Sequence, residues 1–191
     1  MPPAEHDDGR ATNDLVIPRL LVVCTGNAAR SVIAGVVMGT VAGSSGTRVE
    51  VETAGTHAVD GQPISSRTRD ALALIGLSAP EPAHRSSQLD EPSLQAADLV
   101  VVMEPDHVRY VRSRHPQAAP RTATLPYLAM HLDPSTLPLT SRVARLRLAE
   151  LDPGIEGEVA DPAGQDEAAY AACAREIQVL ASELMHRLLG R

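Results

Sequence analysis

Short apolar runs and longer amphipathic segments alternate along the chain. Three runs rich in valine lie at residues 20–23, 49–51 and 99–103, and each is bounded by charged residues or glycine. Runs of this length and composition predict β-strands. The first and third runs contain no polar position, which is typical of strands that are covered on both faces. We therefore expect a buried parallel sheet.

Helices are predicted between and after these runs, where apolar residues recur at three- and four-residue spacing. Gly76, a typical helix stop, follows the predicted helix at residues 65–75. The predicted helices lie at residues 31–41, 65–75, 107–114 and 167–189, with a further helical stretch at 141–151. Strands that alternate with helices predict an α/β fold with right-handed crossovers.

A single domain is predicted for residues 15–191. Residues 1–14 are polar and acidic, without a periodic apolar pattern, and are predicted to be a disordered leader. Residues 115–160 are rich in proline and show the least distinct pattern of the chain.

Charge and cysteine content exclude several classes of function. With 24 acidic and 17 basic residues the net charge is −7, which argues against nucleic acid or an anionic membrane as a partner. Two cysteines are too few for a disulfide framework or a cysteine zinc site, and suit a reducing compartment. No apolar run approaches the roughly 20 residues of a membrane helix. We expect a cytoplasmic protein.

The segment between the first predicted strand and the following helix carries the candidate chemistry. It reads Cys-Thr-Gly-Asn-Ala-Ala-Arg-Ser from Cys24 to Ser31. Five residues between Cys24 and Arg30 can wrap an oxyanion with their N–H groups at a helix N-terminus, and Gly26 and Asn27 tolerate a positive φ. Such a cradle would stabilise a thiolate, and arginine suits a planar phosphate contact. The alternative is an inert core cysteine and a surface arginine.

At these residues the sequence resembles the low-molecular-weight protein tyrosine phosphatase family, whose signature is C-x-G-N-x-C-R-S after the first strand. The resemblance covers residues 19–112 and 159–189. Further matching segments follow in order: Thr53 to Thr56, His84 to Leu89, Ala97 to Met103 with His107, Asp161 to Gly164, and Tyr170. The resemblance implies a four-stranded parallel sheet of order 2-1-3-4 with helices on both faces. It also implies phosphomonoester hydrolysis through a phosphocysteine, with no metal or other cofactor.

The resemblance assigns roles to individual residues. Cys24 would attack phosphorus, and Asp161 would protonate the leaving oxygen and later take a proton from water. Arg30 would hold the phosphate with the loop, Asn27 would brace the loop, and Ser31 would hydrogen-bond the thiolate. The implied phosphate-binding residues are Thr25, Gly26, Asn27, Ala28, Ala29, Arg30 and Ser31.

Asp161 is one of three aspartates that precede a proline, with Asp133 and Asp152. Asp-Pro is common turn chemistry, so each has a structural interpretation as well. Gly164 and Tyr170 follow Asp161 as in the family, and Asp152 is the second candidate for the acid.

Several positions depart from the family pattern. Ala29 replaces a second cysteine, and Ile75 stands where many members have a loop-supporting histidine. The stretch after Thr56 and the stretch after Asp161-Pro contain no tryptophan or tyrosine, which leaves the preference for phosphotyrosine open. Residues 115–160 are longer than the usual connection and are predicted to be a family-atypical insertion.

Side chains outside the loop receive plainer interpretations. His57, His84 and His107 adjoin no acidic or cysteine cluster, so surface or supporting roles are expected rather than metal binding. Cys173 is expected to pack inside the last helix.

Alternative functions remain open alongside a protein tyrosine phosphatase. They are a phosphatase of a small phosphate ester, an arsenate reductase-like enzyme, and a non-catalytic phosphate-binding protein of the same fold. The expected partners are a phosphorylated protein or a small phosphate ester, with phosphate or another oxyanion in the loop.

Overall fold

Four parallel strands form the centre of the computed structural model, which describes residues 17–80 and 83–190. The strands are β1 (Arg19–Cys24), β2 (Glu50–Gly55), β3 (Leu99–Val102) and β4 (Thr122–Thr124). Their order in the sheet is β2-β1-β3-β4, and every pairing is parallel. The predicted architecture and strand order are confirmed.

Seven α-helices flank the sheet in this part of the chain. They are α1 (Arg30–Ser45), α2 (Ser66–Leu74), α3 (Glu91–Ala96), α4 (Pro105–Arg114), α5 (Leu125–His131), α6 (Leu139–Arg145) and α7 (Glu167–Leu188). The predicted helices at 31–41, 65–75, 107–114 and 167–189 are confirmed to within a few residues at each end. Asp166 caps α7 by accepting a hydrogen bond from the Ala169 N–H, which explains why the helix begins there. None of the described helices is long and apolar enough to cross a membrane.

Alternation along β1 gives the sheet two apolar faces. Leu20, Val22 and Cys24 pack into one cluster together with α1, α2, α5 and α7, whereas Leu21 and Val23 pack into a second cluster with α3 and α4. The four residues of β3 are also fully buried. A strand covered on both faces needs no polar positions, and this accounts for the uninterrupted apolar runs of the sequence.

β2 begins and ends later than its apolar pattern predicts. The predicted strand at 49–51 corresponds to Glu50–Gly55, which continues for four residues beyond the valines. β2 lies at the edge of the sheet next to β1, and on its other side Gly55 forms an isolated bridge with Gln88. Its first residues are therefore partly exposed and can be polar, so its sequence carries a weaker strand signal than that of β1 or β3.

Residues 115–160 contain β4, α5 and α6, together with 3-10 turns at Pro116–Arg121, Leu148–Glu150 and Pro153–Ile155. The predicted helix at 141–151 is wrong in its second half, because α6 ends at Arg145 and Arg147 adopts a positive φ of 51°. That conformation cannot continue a right-handed helix. The family-atypical insertion stays a prediction, and the predicted leader at 1–14 lies outside the described residues.

Candidate active site

Asn27 fixes the conformation of the turn between β1 and α1. Asn27, and not Gly26, takes the positive φ that the sequence predicted for this turn, at 50°. Its side-chain Oδ1 accepts a hydrogen bond from the Ser87 N–H at 2.9 Å, and its Nδ2 donates to Ser31 Oγ at 3.0 Å. The buried amide thereby joins the Ser31 end of the loop to the segment between α2 and α3 that contains Ser87.

Other elements support the loop from outside. His84 Nε2 lies 2.8 Å from the Asn27 carbonyl oxygen, and the Thr68 hydroxyl donates to the Ala28 carbonyl at 3.0 Å. An imidazole therefore supports the loop although Ile75 replaces the expected histidine. At Gly55 the backbone approaches so closely that a Cβ would lie 2.6 Å from the Thr25 carbonyl oxygen, which explains the glycine there.

The N–H groups of Gly26 to Ser31 are unused. None of them donates a hydrogen bond to another described residue, and α1 begins without a side-chain cap at Ala29. Unpaired N–H groups at the start of a helix attract an anion, since they point away from the helix and the dipole adds partial positive charge. The loop therefore has the geometry that an oxyanion site requires.

Cys24 ends β1 directly beneath this cradle. Its Sγ lies 3.1 Å from Ser31 Oγ. Because Ser31 Oγ already accepts a hydrogen bond from the Asn27 amide, its own proton is free to be donated to sulfur. A donor aimed at sulfur stabilises the thiolate form.

Arg30 is 1% exposed, and both terminal nitrogens of its guanidinium donate hydrogen bonds. Nη1 donates to Glu104 Oε2 at 2.7 Å and to the Val159 carbonyl at 3.2 Å. Nη2 donates to Asp161 Oδ2 at 2.5 Å and to Thr25 Oγ1 at 3.1 Å. Two carboxylates, those of Glu104 and Asp161, therefore pair with the buried guanidinium.

Glu104 is a site residue that the sequence reasoning missed. It follows β3, whose carboxyl end lies beside that of β1 in the sheet. From the carboxyl ends of β1 and β3 the chain runs in opposite directions, toward β2 and toward β4. In open parallel sheets ligands bind at the point where two neighbouring connections diverge in this way. With the strand order 2-1-3-4, an acidic residue two positions after β3 is therefore a signal for a site residue.

The three Asp-Pro pairs occupy different environments. Asp152 caps a 3-10 turn by accepting from the Gly154 N–H, and Asp133 accepts from the Ser135 N–H and faces Arg145 at 3.5 Å. Asp161 alone among the three contacts Arg30. Its Oδ1 accepts from the Ala163 N–H while Oδ2 reaches the guanidinium.

His107 lies behind Thr25 and is 3% exposed. Its Nε2 lies 3.0 Å from Thr25 Oγ1 and 3.2 Å from Glu104 Oε1. Burial, opposed by the charge of Glu104, lowers the pKa of His107 to about 4. The imidazole is therefore neutral at neutral pH.

A recess of about 460 Å³ opens beside the loop, between the end of β2 and α4. Its lining includes Thr25, Thr56, His57 and Tyr110, with the acidic residues Glu104 and Asp106. The rings of His57 and Tyr110 meet edge to face at 5.4 Å. The segments after β2 and after Asp161 contain no tryptophan or tyrosine, which is why no aromatic wall was expected from the sequence. The ring of Tyr110 comes instead from α4.

Cys173 lies on α7 in the apolar cluster that also contains Cys24. Burial raises the pKa of Cys173 to about 12. It is therefore a packing residue that stays protonated, as the sequence suggested.

A cysteine beneath an N–H cradle, with an arginine at the opening of the next helix, defines a cysteine-dependent phosphatase. The sequence model of the family described as low molecular weight phosphotyrosine protein phosphatase matches residues 19–137. The chain belongs to this family. The match extends beyond the 19–112 expected from the sequence and includes β4 and α5.

Similar proteins include phosphatases of two kinds. The chain is 29% identical over 170 residues to a protein-arginine-phosphatase of Geobacillus stearothermophilus, covering 89% of this chain and 95% of the relative. It is 34% identical over 101 residues to the probable low molecular weight protein-tyrosine-phosphatase EpsP of Ralstonia nicotianae, covering 53% and 66%. The solved low molecular weight protein tyrosine phosphatase from T. tengcongensis superposes with a TM-score of 0.69, is 29% identical, and covers 87% of this chain and 97% of its own.

Proposed function

We propose that this phosphatase removes phosphate from phosphorylated protein side chains, with Cys24 as nucleophile, Arg30 as phosphate ligand and Asp161 as general acid and base. The observation that carries the proposal is the ring of unused N–H groups between Cys24 and Arg30. Phosphoryl transfer needs positioning and charge stabilisation above all, and this ring offers both.

In the first step the Cys24 thiolate attacks phosphorus. A sulfur–phosphorus bond forms as the bond to the leaving oxygen breaks, and protonated Asp161 gives its proton to that oxygen. In the second step water attacks the phosphocysteine and gives a proton to Asp161. The sulfur–phosphorus bond breaks, inorganic phosphate is released, and the thiolate and the protonated Asp161 are regenerated, so atoms and charge balance over the cycle.

Arg30 must exchange partners when phosphate binds. Its Nη2 donates a hydrogen bond to Asp161 Oδ2 at 2.5 Å. A phosphate oxygen that takes this position gains a planar arginine contact and releases Asp161 toward the leaving group. Glu104 keeps Nη1 in place throughout.

Phosphotyrosine is the substrate class that the recess favours. Tyr110 and His57 provide ring surfaces next to the first residue of the loop, where the side chain that carries the phosphate would lie.

Phosphoarginine is a second candidate, and one observation favours it. Glu104 and Asp106 line the same recess, and a cationic guanidinium is attracted to carboxylates and to aromatic faces. The relative from Geobacillus stearothermophilus is named a protein-arginine-phosphatase. Comparing kcat/KM for a phosphotyrosine peptide and the matched phosphoarginine peptide distinguishes the two.

Replacing Tyr110 tests the recess. We expect Tyr110→Ala to raise the KM for a phosphotyrosine peptide roughly threefold to tenfold, with little change in kcat. The reason is the loss of an aromatic contact worth about 0.5–1.5 kcal/mol. Tyr110→Phe keeps the ring and should match the wild type. An unchanged KM in Tyr110→Ala would place the substrate ring elsewhere.

Oxidation tests the state of the two thiols. We expect hydrogen peroxide to convert Cys24 to sulfenic and then sulfinic acid, because Ala29 offers no thiol and Cys173, with its raised pKa, is a poor partner for a disulfide. Intact-mass analysis should show a gain of two oxygen atoms in the wild type and in Cys173→Ala. A loss of two hydrogens, with a peptide linking Cys24 and Cys173, contradicts this expectation.

The remaining alternatives have less support. Disulfide-based arsenate reduction needs a second reactive thiol, which a buried Cys173 does not supply. A binding protein without turnover would need no general acid. Asp161 is a carboxylate that can move from Arg30 to a substrate oxygen, which favours an enzyme.

A further inference from the structure

Four side chains form a closed ring of contacts behind the loop. Arg30 Nη1 contacts Glu104, and Glu104 Oε1 lies 3.2 Å from His107 Nε2. The same His107 Nε2 lies 3.0 Å from Thr25 Oγ1, which accepts from Arg30 Nη2 at 3.1 Å. The proposed reaction uses Arg30 from this ring but gives no role to the Thr25 hydroxyl or to His107.

The contacts of His107 determine which ring nitrogen carries the proton. The negative charge of Glu104 Oε1 lies 3.2 Å from Nε2 and favours an N–H over a lone pair at that nitrogen. Nδ1 is buried and has no partner among the described residues. A neutral imidazole in this position therefore carries its proton on Nε2, where Thr25 Oγ1 is the hydrogen-bond partner, since the other tautomer would place a lone pair beside the carboxylate and bury an unpaired N–H.

This tautomer fixes the hydrogen bonding of Thr25. A hydroxyl has two lone pairs and one proton. Arginine can only donate, so Arg30 Nη2–H takes one lone pair of Thr25 Oγ1, and His107 Nε2–H takes the other. The proton of the Thr25 hydroxyl has no acceptor among the residues the structure describes and remains available to a ligand.

The ligand position next to this proton is the phosphate site. Thr25 Oγ1 and Asp161 Oδ2 are bound to the same nitrogen, Arg30 Nη2. A phosphate oxygen that replaces Asp161 Oδ2 on that nitrogen lies beside the Thr25 hydroxyl. Thr25 is also half-buried at the edge of the recess, so its hydroxyl is accessible from the substrate side.

We propose that the Thr25 hydroxyl donates a hydrogen bond to the bound phosphoryl group, and that His107 is a positioning residue that forces Thr25 to act as a donor. This inference rests on the proposed phosphatase function and adds a side-chain donor to the backbone N–H groups of the loop. The donor is fixed before the substrate arrives, so no reorganisation is needed during the reaction.

Substitutions at Thr25 test the donor. Thr25→Val keeps the shape and removes the hydroxyl, so kcat/KM for p-nitrophenyl phosphate should fall about 10- to 100-fold and the inhibition constant of inorganic phosphate should rise. Thr25→Ser keeps the hydroxyl and should stay within about threefold of the wild type. Equal activity of the Thr25→Val and Thr25→Ser variants overturns the proposal.

Substitutions at His107 test the positioning. His107→Phe should lose about as much activity as Thr25→Val, and the double variant should lose no more than either single variant, because both act through one hydrogen bond. His107→Gln can donate from its amide and should recover part of the loss. Additive losses in the double variant, at matched thermal unfolding midpoints, would show that His107 does not act through Thr25 and would overturn its positioning role.

An NMR measurement separates this inference from the proposed function. The nitrogen shifts of His107 in the full chain report the tautomer without any substrate, and we expect the proton on Nε2. A proton on Nδ1 overturns the inference even if the enzyme is active. Absence of Cys24-dependent hydrolysis overturns the proposed function, while the tautomer and the binding of inorganic phosphate to Thr25→Val and Thr25→Ser still decide the role of the hydroxyl.

Discussion

Cys24→Ser should reduce the hydrolysis of p-nitrophenyl phosphate by roughly 10³-fold or more, because a hydroxyl is a far weaker nucleophile than the thiolate that the cradle and Ser31 stabilise. Release of p-nitrophenol by the purified protein measures this directly. Cys173→Ala removes the other thiol and should keep its activity. Full activity of Cys24→Ser would refute the mechanism, whereas EDTA should leave the wild type unaffected.

Arg30→Lys belongs to the same test. Lysine keeps the charge but cannot contact phosphate, Glu104 and Thr25 together from one plane, so a loss of roughly 10²–10³-fold is expected. Arg145→Lys is the matched control, because Arg145 is exposed and, within the described part of the chain, pairs with Asp133 alone.

Asp161→Asn should lower kcat by roughly 10²–10⁴-fold on substrates with poor leaving groups, because the amide cannot protonate the leaving oxygen. The loss should be much smaller on p-nitrophenyl phosphate, whose leaving group is stable without a proton. Rates on phenyl phosphate and p-nitrophenyl phosphate, compared within each variant, measure this difference.

Asp152→Asn and Asp133→Asn serve as controls for that test. Both aspartates accept hydrogen bonds from nearby turn N–H groups and neither contacts Arg30. Both variants should keep the wild-type dependence on the leaving group. A loss confined to Asp152→Asn would mean that the acid lies in the other turn.

The central part of the fold could be predicted from the sequence because burial on two faces leaves a strong pattern. The apolar runs of β1 and β3 and the periodic face of α7 are direct consequences of their positions. β4 has only three residues, Thr122–Thr124, and two of them are polar. No local pattern distinguishes such a strand from a turn, so the fourth strand was implied by the family resemblance alone.

The candidate site likewise contains residues that the sequence indicates and residues that only the fold brings together. Cys24, Arg30 and Ser31 belong to one continuous segment, and their spacing between a strand and a helix is visible in the sequence. Glu104 and Tyr110 come close to that segment only because β3 lies beside β1 and α4 follows it. Such contacts depend on the strand order rather than on any local pattern.

The pairing of Arg30 with two carboxylates also bears on how each catalytic cycle ends. When inorganic phosphate leaves the loop, the buried guanidinium would keep only Glu104 as an ionic partner, and a buried charge that loses a partner is costly. In the proposed reaction Asp161 then holds a proton taken from water, and once it releases that proton its carboxylate can return to Arg30 Nη2. The departure of product and the return of Asp161 would thus be one exchange of anions at the same nitrogen.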